Sequence, residues 1–280
     1  MYPTLLQIGQ FRLATYGVLV ALGYLAGIYW LSSQRERMGF KENEFWGLIY
    51  AMFFGAVAGG KLLYWAVEWR ALFSGELHPF RDFRYGFVFM GGFMGSAFAA
   101  WIYGRRTPFD YLKVGDHFGV AMPLGHTIGR LACLFSGCCA GRPTALPWGV
   151  RFTRPDCLVD PRLLGVPLHP TPVYESAANA LIAFLMLRWL SRVREGRAPE
   201  GSVLLGYLGL YGIARFFIEF FRGDDRGGFL LGMSLAQWTS LGWMLTASVV
   251  LATLVRRRRA SSASRRPRGP WGPPGDRASR

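Results

Sequence analysis

Apolar positions in this chain gather into continuous blocks, without the two-residue alternation of a half-buried strand or the single stripe of a soluble amphipathic helix. The blocks lie near Ala14–Leu31, Phe45–Val67, Gly86–Tyr103, Gly119–Ala140, Tyr174–Leu190, Val203–Phe221 and Met233–Val255. Stretches of about 20 apolar residues match the hydrocarbon thickness of a bilayer. Lipid offers no partner for backbone N–H and C=O groups, so such segments must be helical. The pattern predicts an all-α, polytopic integral membrane protein with about seven transmembrane helices.

Charge in the connections adds an orientation. Those after the first, third, fifth and seventh blocks carry Arg35, Arg37 and Lys41; Arg105, Arg106 and Lys113; Arg188, Arg192, Arg194 and Arg197; and nine arginines after Val255. The other side carries Arg12; Arg70, Arg81 and Arg84; Arg142, Arg151, Arg154 and Arg162; and Arg222 and Arg226. Nineteen basic residues against ten place the N-terminus outside and the C-terminus in the cytoplasm by the positive-inside rule. The opening residues lack a basic n-region and a small-residue cleavage site, so no removable signal peptide is expected. Residues 1–255 read as a transmembrane domain and 256–280 as a basic, disordered cytoplasmic tail rich in Arg, Ser, Pro and Gly.

Composition narrows the class. Over 280 residues the chain is 51% hydrophobic and only 18% charged, more apolar than a soluble core can hold. Its 36 glycines have no three-residue period, which excludes collagen. A net charge of +15 raises the question of nucleic acid. The concentration of that charge beside apolar blocks and in Arg256–Arg259 instead favours anionic lipid headgroups, and no nucleic-acid partner is expected.

Ionisable groups inside spans are the candidate chemistry, because each costs about 2.5–3.5 kcal/mol at mid-bilayer. Arg130 lies in the fourth span, Lys61 follows Gly59-Gly60 in the second, and Arg215 and Glu219 share a face of the sixth, with Arg222 three residues on. Arg215 and Glu219 could simply neutralise one another. The surplus positive charge instead suggests an anionic ligand, a phospholipid phosphate being the nearest. The segment His169-Pro170-Thr171-Pro172-Val173-Tyr174-Glu175 opens the fifth span. Alone it reads as an interfacial anchor, with Glu175 in the first turn meeting the helix dipole.

These landmarks, in this order, resemble the prolipoprotein diacylglyceryl transferase family from about Phe11 to Val255. The matching elements are Tyr16-Gly17, Gly59-Gly60-Lys61 where the family has Gly-Gly-Arg, Gly91-Gly92, Gly129-Arg130-Leu131, Gly141-Arg142, His169-Pro170-Thr171 with Tyr174-Glu175, and Arg215 through Arg222. The resemblance implies an enzyme that moves the diacylglyceryl group of phosphatidylglycerol to the lipobox cysteine thiol of a prolipoprotein, releasing glycerol phosphate. It also implies a multi-pass protein of the bacterial cytoplasmic (inner) membrane whose partners are phosphatidylglycerol and prolipoprotein signal peptides. By resemblance Arg130 would hold the lipid headgroup, and Arg215, oriented by Glu219, would stabilise the phosphate or help activate the thiol. Tyr16, Lys61, Gly141, His169 and Tyr174 would complete the substrate-binding site. Neither a cofactor nor a metal is expected.

The sequence departs from the family at two places. The signature Gly-Arg-x-Gly-Asn-Phe-x-Asn-Gly-Glu is replaced by Gly129-Arg130-Leu131-Ala132-Cys133-Leu134-Phe135-Ser136-Gly137-Cys138. Met90 stands before Gly91-Gly92, where the family usually has a histidine, and a thioether cannot take a proton. His126, one helical turn before Arg130, is the candidate catalytic substitute, with Glu219 and Cys138 as others. The alternative for His126 is a hydrogen-bonded polar residue in the bundle.

Cys133, Cys138, Cys139 and Cys157 do not match zinc patterns built from two Cys-x-x-Cys arms. A disulfide from Cys138 or Cys139 to Cys157 would close a loop of about 20 residues and contribute about 3 kcal/mol; packing as small free thiols is the other reading. Three alternatives stand beside thiol transfer: a related transferase with another acceptor, an inactive anionic-lipid-binding protein, and a transporter, which the single charged site fits least well.

Overall fold

The computed structural model describes residues 3–9, 11–79, 82, 86–223 and 231–264. A hairpin of β1 (Thr4–Ile8) and β2 (Phe11–Ala14) leads into α1 (Thr15–Ser33). The short α2 (Arg35–Met38) precedes α3 (Glu42–Val67), and the short α4 (Trp69–Phe73) follows it. Then come α5 (Phe89–Arg106) and α6 (Tyr111–Ser136), and a 34-residue connection, positions 137–170, that pairs β3 (Val150–Arg151) with β4 (Pro167–Leu168). The chain continues through α7 (Thr171–Arg194), α8 (Ser202–Ile218) and α9 (Leu235–Ser264). Each apolar block of the sequence coincides with one long helix.

Five of these helices are long and apolar enough to cross a membrane: α1, α3, α6, α8 with its 3₁₀ extension to Phe221, and α9 to Ala260. The other two carry less apolar sequence for identifiable reasons. Glycines of α5 meet α3, and α7 buries Glu175, Ser176 and Asn179. The outside of the bundle is apolar: Tyr29, Phe54 and Leu245 are 79%, 65% and 67% exposed, whereas Lys61 and Glu175 are each 2% exposed. A greasy exterior around buried charge suits a lipid surround, where a water-soluble fold would show the reverse.

Helix α6 is the hub, packing on α1, α7 and α8, while α9 packs on α8 and α3 on α5. Small residues permit the closest crossings. A Cβ on Gly23 of α1 would lie 2.7 Å from the Gly125 carbonyl oxygen of α6, and one on Gly59 of α3 would run into the backbone of Gly91 in α5. At the end of the bundle away from the charged cluster, the buried Asp116 of α6 accepts backbone N–H bonds from Gly201 (2.7 Å), Val203 (2.8 Å) and Leu204 (3.3 Å). It thus satisfies the orphan donors at the start of α8 from another helix.

Two sequence expectations change here. Helix α9 continues to Ser264, so Arg256–Arg259 form exposed helix where a disordered tail was expected; Arg and Ala are both strong helix formers. The rest of the tail, and Arg81, Arg84 and Arg226, lie outside the described residues. Helix α7 begins at Thr171, which puts Glu175 in its second turn, too far inside to serve as an end cap.

Candidate active site

The antiparallel run of the helices gathers the ends of α6 and α8 and the starts of α1, α7 and α9 at one end of the bundle. Helix α6 stops there at Gly137, whose left-handed φ of 74° terminates it. Cys139 follows at φ 60°, a left-handed conformation that a non-glycine residue rarely adopts. Thr171, at the start of α7, donates its hydroxyl to the Cys139 carbonyl at 2.5 Å, and Ser176 donates to the Thr127 carbonyl at 2.7 Å. These bonds clamp α7 against the last turns of α6.

Between those helices lies a buried ionic cluster. One carboxylate oxygen of Glu175 is 2.6 Å from Arg130 Nε; the other is 2.9 Å from Arg222 Nη1 and 3.9 Å from Arg215 Nη1. Glu219 is 2.5 Å from Arg215 and 3.8 Å from Arg222, and it accepts the Ser234 hydroxyl at 2.8 Å from the start of α9. Arg215, Arg222, Glu175 and Glu219 are all nearly inaccessible, and Arg130 is the most open member, with its side chain 24% exposed. Among the described residues, three guanidiniums meet two carboxylates here. A buried cluster richer in guanidiniums than in carboxylates suits an anionic ligand.

The structure brings Arg130, Arg215 and Glu219 together, with Glu175 and Arg222 beside them. Glu175 was legible only as the last residue of the His169–Glu175 segment, and Arg222 only by its spacing from Glu219. Lys61 is held elsewhere: its Nζ donates to the carbonyls of Asp82 (3.2 Å) and Gly86 (3.4 Å) and lies over the rings of Tyr64, Trp65 and Phe87. Those contacts tie it to the connection before α5. His126 packs against Tyr207 and Tyr211, with its Nδ1 3.1 Å from the Tyr207 hydroxyl. It is engaged as a hydrogen-bonded bundle residue, and Tyr211 in turn meets Arg130.

His169 and Tyr174 form a separate polar group, 3.2 Å apart, with Trp148 donating to the Tyr174 hydroxyl at 2.8 Å. Gly141 threads between this group and the arginines. Its N–H donates to the His169 carbonyl, it bridges Arg222, and a Cβ there would lie 2.5 Å from both His169 Cβ and the Phe221 oxygen. Only glycine fits so tight a passage. Arg142 secures the same strand by donating Nε to the Arg222 carbonyl at 2.9 Å.

No disulfide joins these four cysteines, so of the two readings the bridge to Cys157 is not the one found. Cys157 instead packs with Phe152, Val159 and Leu168 in the small core of the 137–170 connection. Cys133, Cys138 and Cys139 converge, with their sulfurs all within 4.8 Å of one another. Tyr16 at the start of α1 lies within electrostatic reach of these three and of Arg130. The Cys139 thiol is held below its ordinary range, chiefly by hydrogen bonds from Cys133 and Cys138 and further by the Arg222 guanidinium. Sequence spacing missed this trio because a left-handed turn, and not a linear motif, brings the sulfurs together.

Comparison with known proteins fits this geometry. The family description "prolipoprotein diacylglyceryl transferase" matches residues 3–253. A phosphatidylglycerol–prolipoprotein diacylglyceryl transferase of Clostridium tetani is 33% identical over 241 residues, covering 86% of this chain and 93% of the relative. Its counterpart in Pseudoalteromonas atlantica is 32% identical over 266 residues, covering 92% and 90%. With nearly its whole length matched, the chain belongs to the prolipoprotein diacylglyceryl transferase family.

Proposed function

We propose that this protein transfers the diacylglyceryl group of phosphatidylglycerol to the lipobox cysteine thiol of a prolipoprotein and releases glycerol phosphate. The observation that carries the reading is the buried gathering of Arg130, Arg215 and Arg222 around Glu175 and Glu219, a surplus of guanidiniums among the described residues. A phosphodiester headgroup bears the single negative charge that balances it. As the glyceryl carbon–oxygen bond breaks, a second charge grows on the departing phosphate, and guanidiniums already fixed by carboxylates stabilise it without reorganising. Arg130, the most open of the three, makes the first headgroup contact, while Arg215 and Arg222 meet the developing charge. Tyr16 and Gly141 line the approach, and His169 with Tyr174 shapes its outer rim.

The seven long helices span the bacterial inner membrane with the N-terminus outward, which sets the site at the less basic, outer face. The basic end of α9 lies along cytoplasmic anionic headgroups. Family membership favours the transferase over a lipid-binding protein without activity. The test is complementation of cells depleted of their own transferase, following a lipoprotein from precursor to thioether-lipidated form. Wild type restores the shift; Arg130→Ala and Arg215→Ala do not. Failure of correctly inserted wild type to restore it refutes the reading.

A further inference from the structure

We infer that Cys133, Cys138 and Cys139 bind a zinc ion whose open fourth position takes the acceptor thiol and presents it as a thiolate. This rests on the thiol-transfer reading above and supplies its missing step, the activation of the sulfur.

The geometry is close to a metal site. Zinc–sulfur bonds of about 2.3 Å set tetrahedral ligands about 3.8 Å apart, and the three sulfurs already lie within 4.8 Å. Closing that gap asks for shifts of about 1 Å or less in side chains that sit at a helix end and a loop. The backbone is shaped for the convergence: Gly137 ends α6 at φ 74°, Cys139 is held at φ 60°, and Thr171 pins the Cys139 carbonyl at 2.5 Å. A non-glycine residue kept in the left-handed region marks a place where surrounding structure maintains strain, commonly for function. Three soft thiolates select a soft or borderline ion over magnesium or calcium.

Access agrees as well. Cys133 is buried, whereas Cys138 and Cys139 are half-buried, so the site is closed behind and open in front. Three protein ligands with a vacant position distinguish catalytic from structural zinc. The neighbouring histidines are otherwise engaged, His126 with Tyr207 and His169 with Tyr174, and a thiol attacks only once deprotonated.

The step balances without oxidant or reductant. The acceptor thiol binds the metal and loses its proton to water, because coordination deprotonates a thiol outright. The sulfur lone pair then attacks the glyceryl carbon bearing the phosphate. A carbon–sulfur bond forms as the carbon–oxygen bond breaks, and the electron pair of that bond leaves on the phosphate oxygen. Glycerol phosphate departs as a dianion beside the arginines, and zinc stays divalent. Arg222 joins the two halves of the site, 2.9 Å from Glu175 and facing Cys139.

The experiment uses the full chain, purified in detergent under reducing conditions, dialysed against Zn²⁺ or Co²⁺ and measured by elemental analysis and absorption. Wild type and Cys157→Ser should retain about one metal per chain, and Cys133→Ser, Cys138→Ser and Cys139→Ser each at least about tenfold less. The Co²⁺ form should show sulfur-to-cobalt charge transfer, and its visible bands should shift with a lipobox peptide but not with the Cys→Ser peptide. Transfer by the triple Cys→Ser variant should fall at least about 10²-fold, the lower range for loss of a proton-transfer group. Metal-free wild type that still transfers, or metal retained by the triple variant, overturns the zinc site and leaves the transferase reading intact. Metal bound by the three cysteines with no cobalt shift on adding peptide overturns the thiol-activating role. Metal binding and a peptide shift without any transfer from phosphatidylglycerol upholds the site and refutes the transferase reading.

Discussion

Neutralising Glu175 separates a central ionic role from a role in helix capping. In Glu175→Gln the side-chain volume is retained, but the three guanidiniums within 3.9 Å lose the charge they share. The local balance of Arg130, Arg215 and Arg222 against Glu219 alone moves from one to two net positive charges. Breaking a buried ion pair from one side costs about 3–5 kcal/mol. The Arg222 contact dominates that figure, since both partners are almost inaccessible, and the 24%-exposed Arg130 adds less because water screens it. A carboxylate serving only the helix dipole would cost about 0.3–1 kcal/mol. Unfolding in mixed detergent micelles should therefore show a loss of about two to four decades in the folding equilibrium constant, with each decade worth about 1.4 kcal/mol. Adding Arg222→Gln to Glu175→Gln should recover part of the loss, because it removes one of the cations left exposed to its neighbours. A single-variant loss below about 1 kcal/mol, or simple additivity in the double-mutant cycle, would refute the central placement.

Three further outcomes follow from particular contacts. Asp116→Ala leaves the Gly201, Val203 and Leu204 amides without their acceptor and should destabilise by at least about 2 kcal/mol, at the upper end for a lost cap. Hydrogen exchange should speed first at the start of α8. His126→Gln keeps a polar partner for Tyr207 and should hold transfer within about tenfold of wild type, whereas loss of a true general base costs about 10²–10⁴-fold. Gly141→Ala forces His169 and Phe221 away from the strand that bridges Arg222. Its transfer rate should fall about 10²-fold, the scale of a 1 Å misplacement, while detergent-solubilised yield stays near wild type.

Much of the architecture was legible because lipid imposes a strong rule on sequence. Every apolar block became a helix, as backbone groups in hydrocarbon must pair within their own segment. Gly23 and Gly59 could be noticed, yet only the fold shows that each faces another helix's backbone. Hydropathy starts the fourth span at Gly119, whereas α6 reaches back to Tyr111 and carries Asp116 and His117 within the helix. Asp116 is instead buried as the cap of α8, a partner 85 residues away. Lys61 shows the same limit in a charged residue. Its charge was counted toward the anion site from sequence, but its distance from Arg130 is a tertiary quantity, and local carbonyls already hold it.

By itself, then, the order of apolar blocks, loop arginines and scattered motifs determined a helical membrane protein of a particular family with arginines inside its spans. Those properties depend on the solvent each residue can tolerate and on local periodicity, both of which are written along the chain. Tertiary structure alone decided which charges meet: Glu175 at the centre of three arginines, Lys61 elsewhere, Cys157 in a core, and the other three sulfurs converged. Coulomb energy and metal ligation fall away over a few ångströms, and separations that short, between residues up to 47 positions apart, are fixed only when the helices pack.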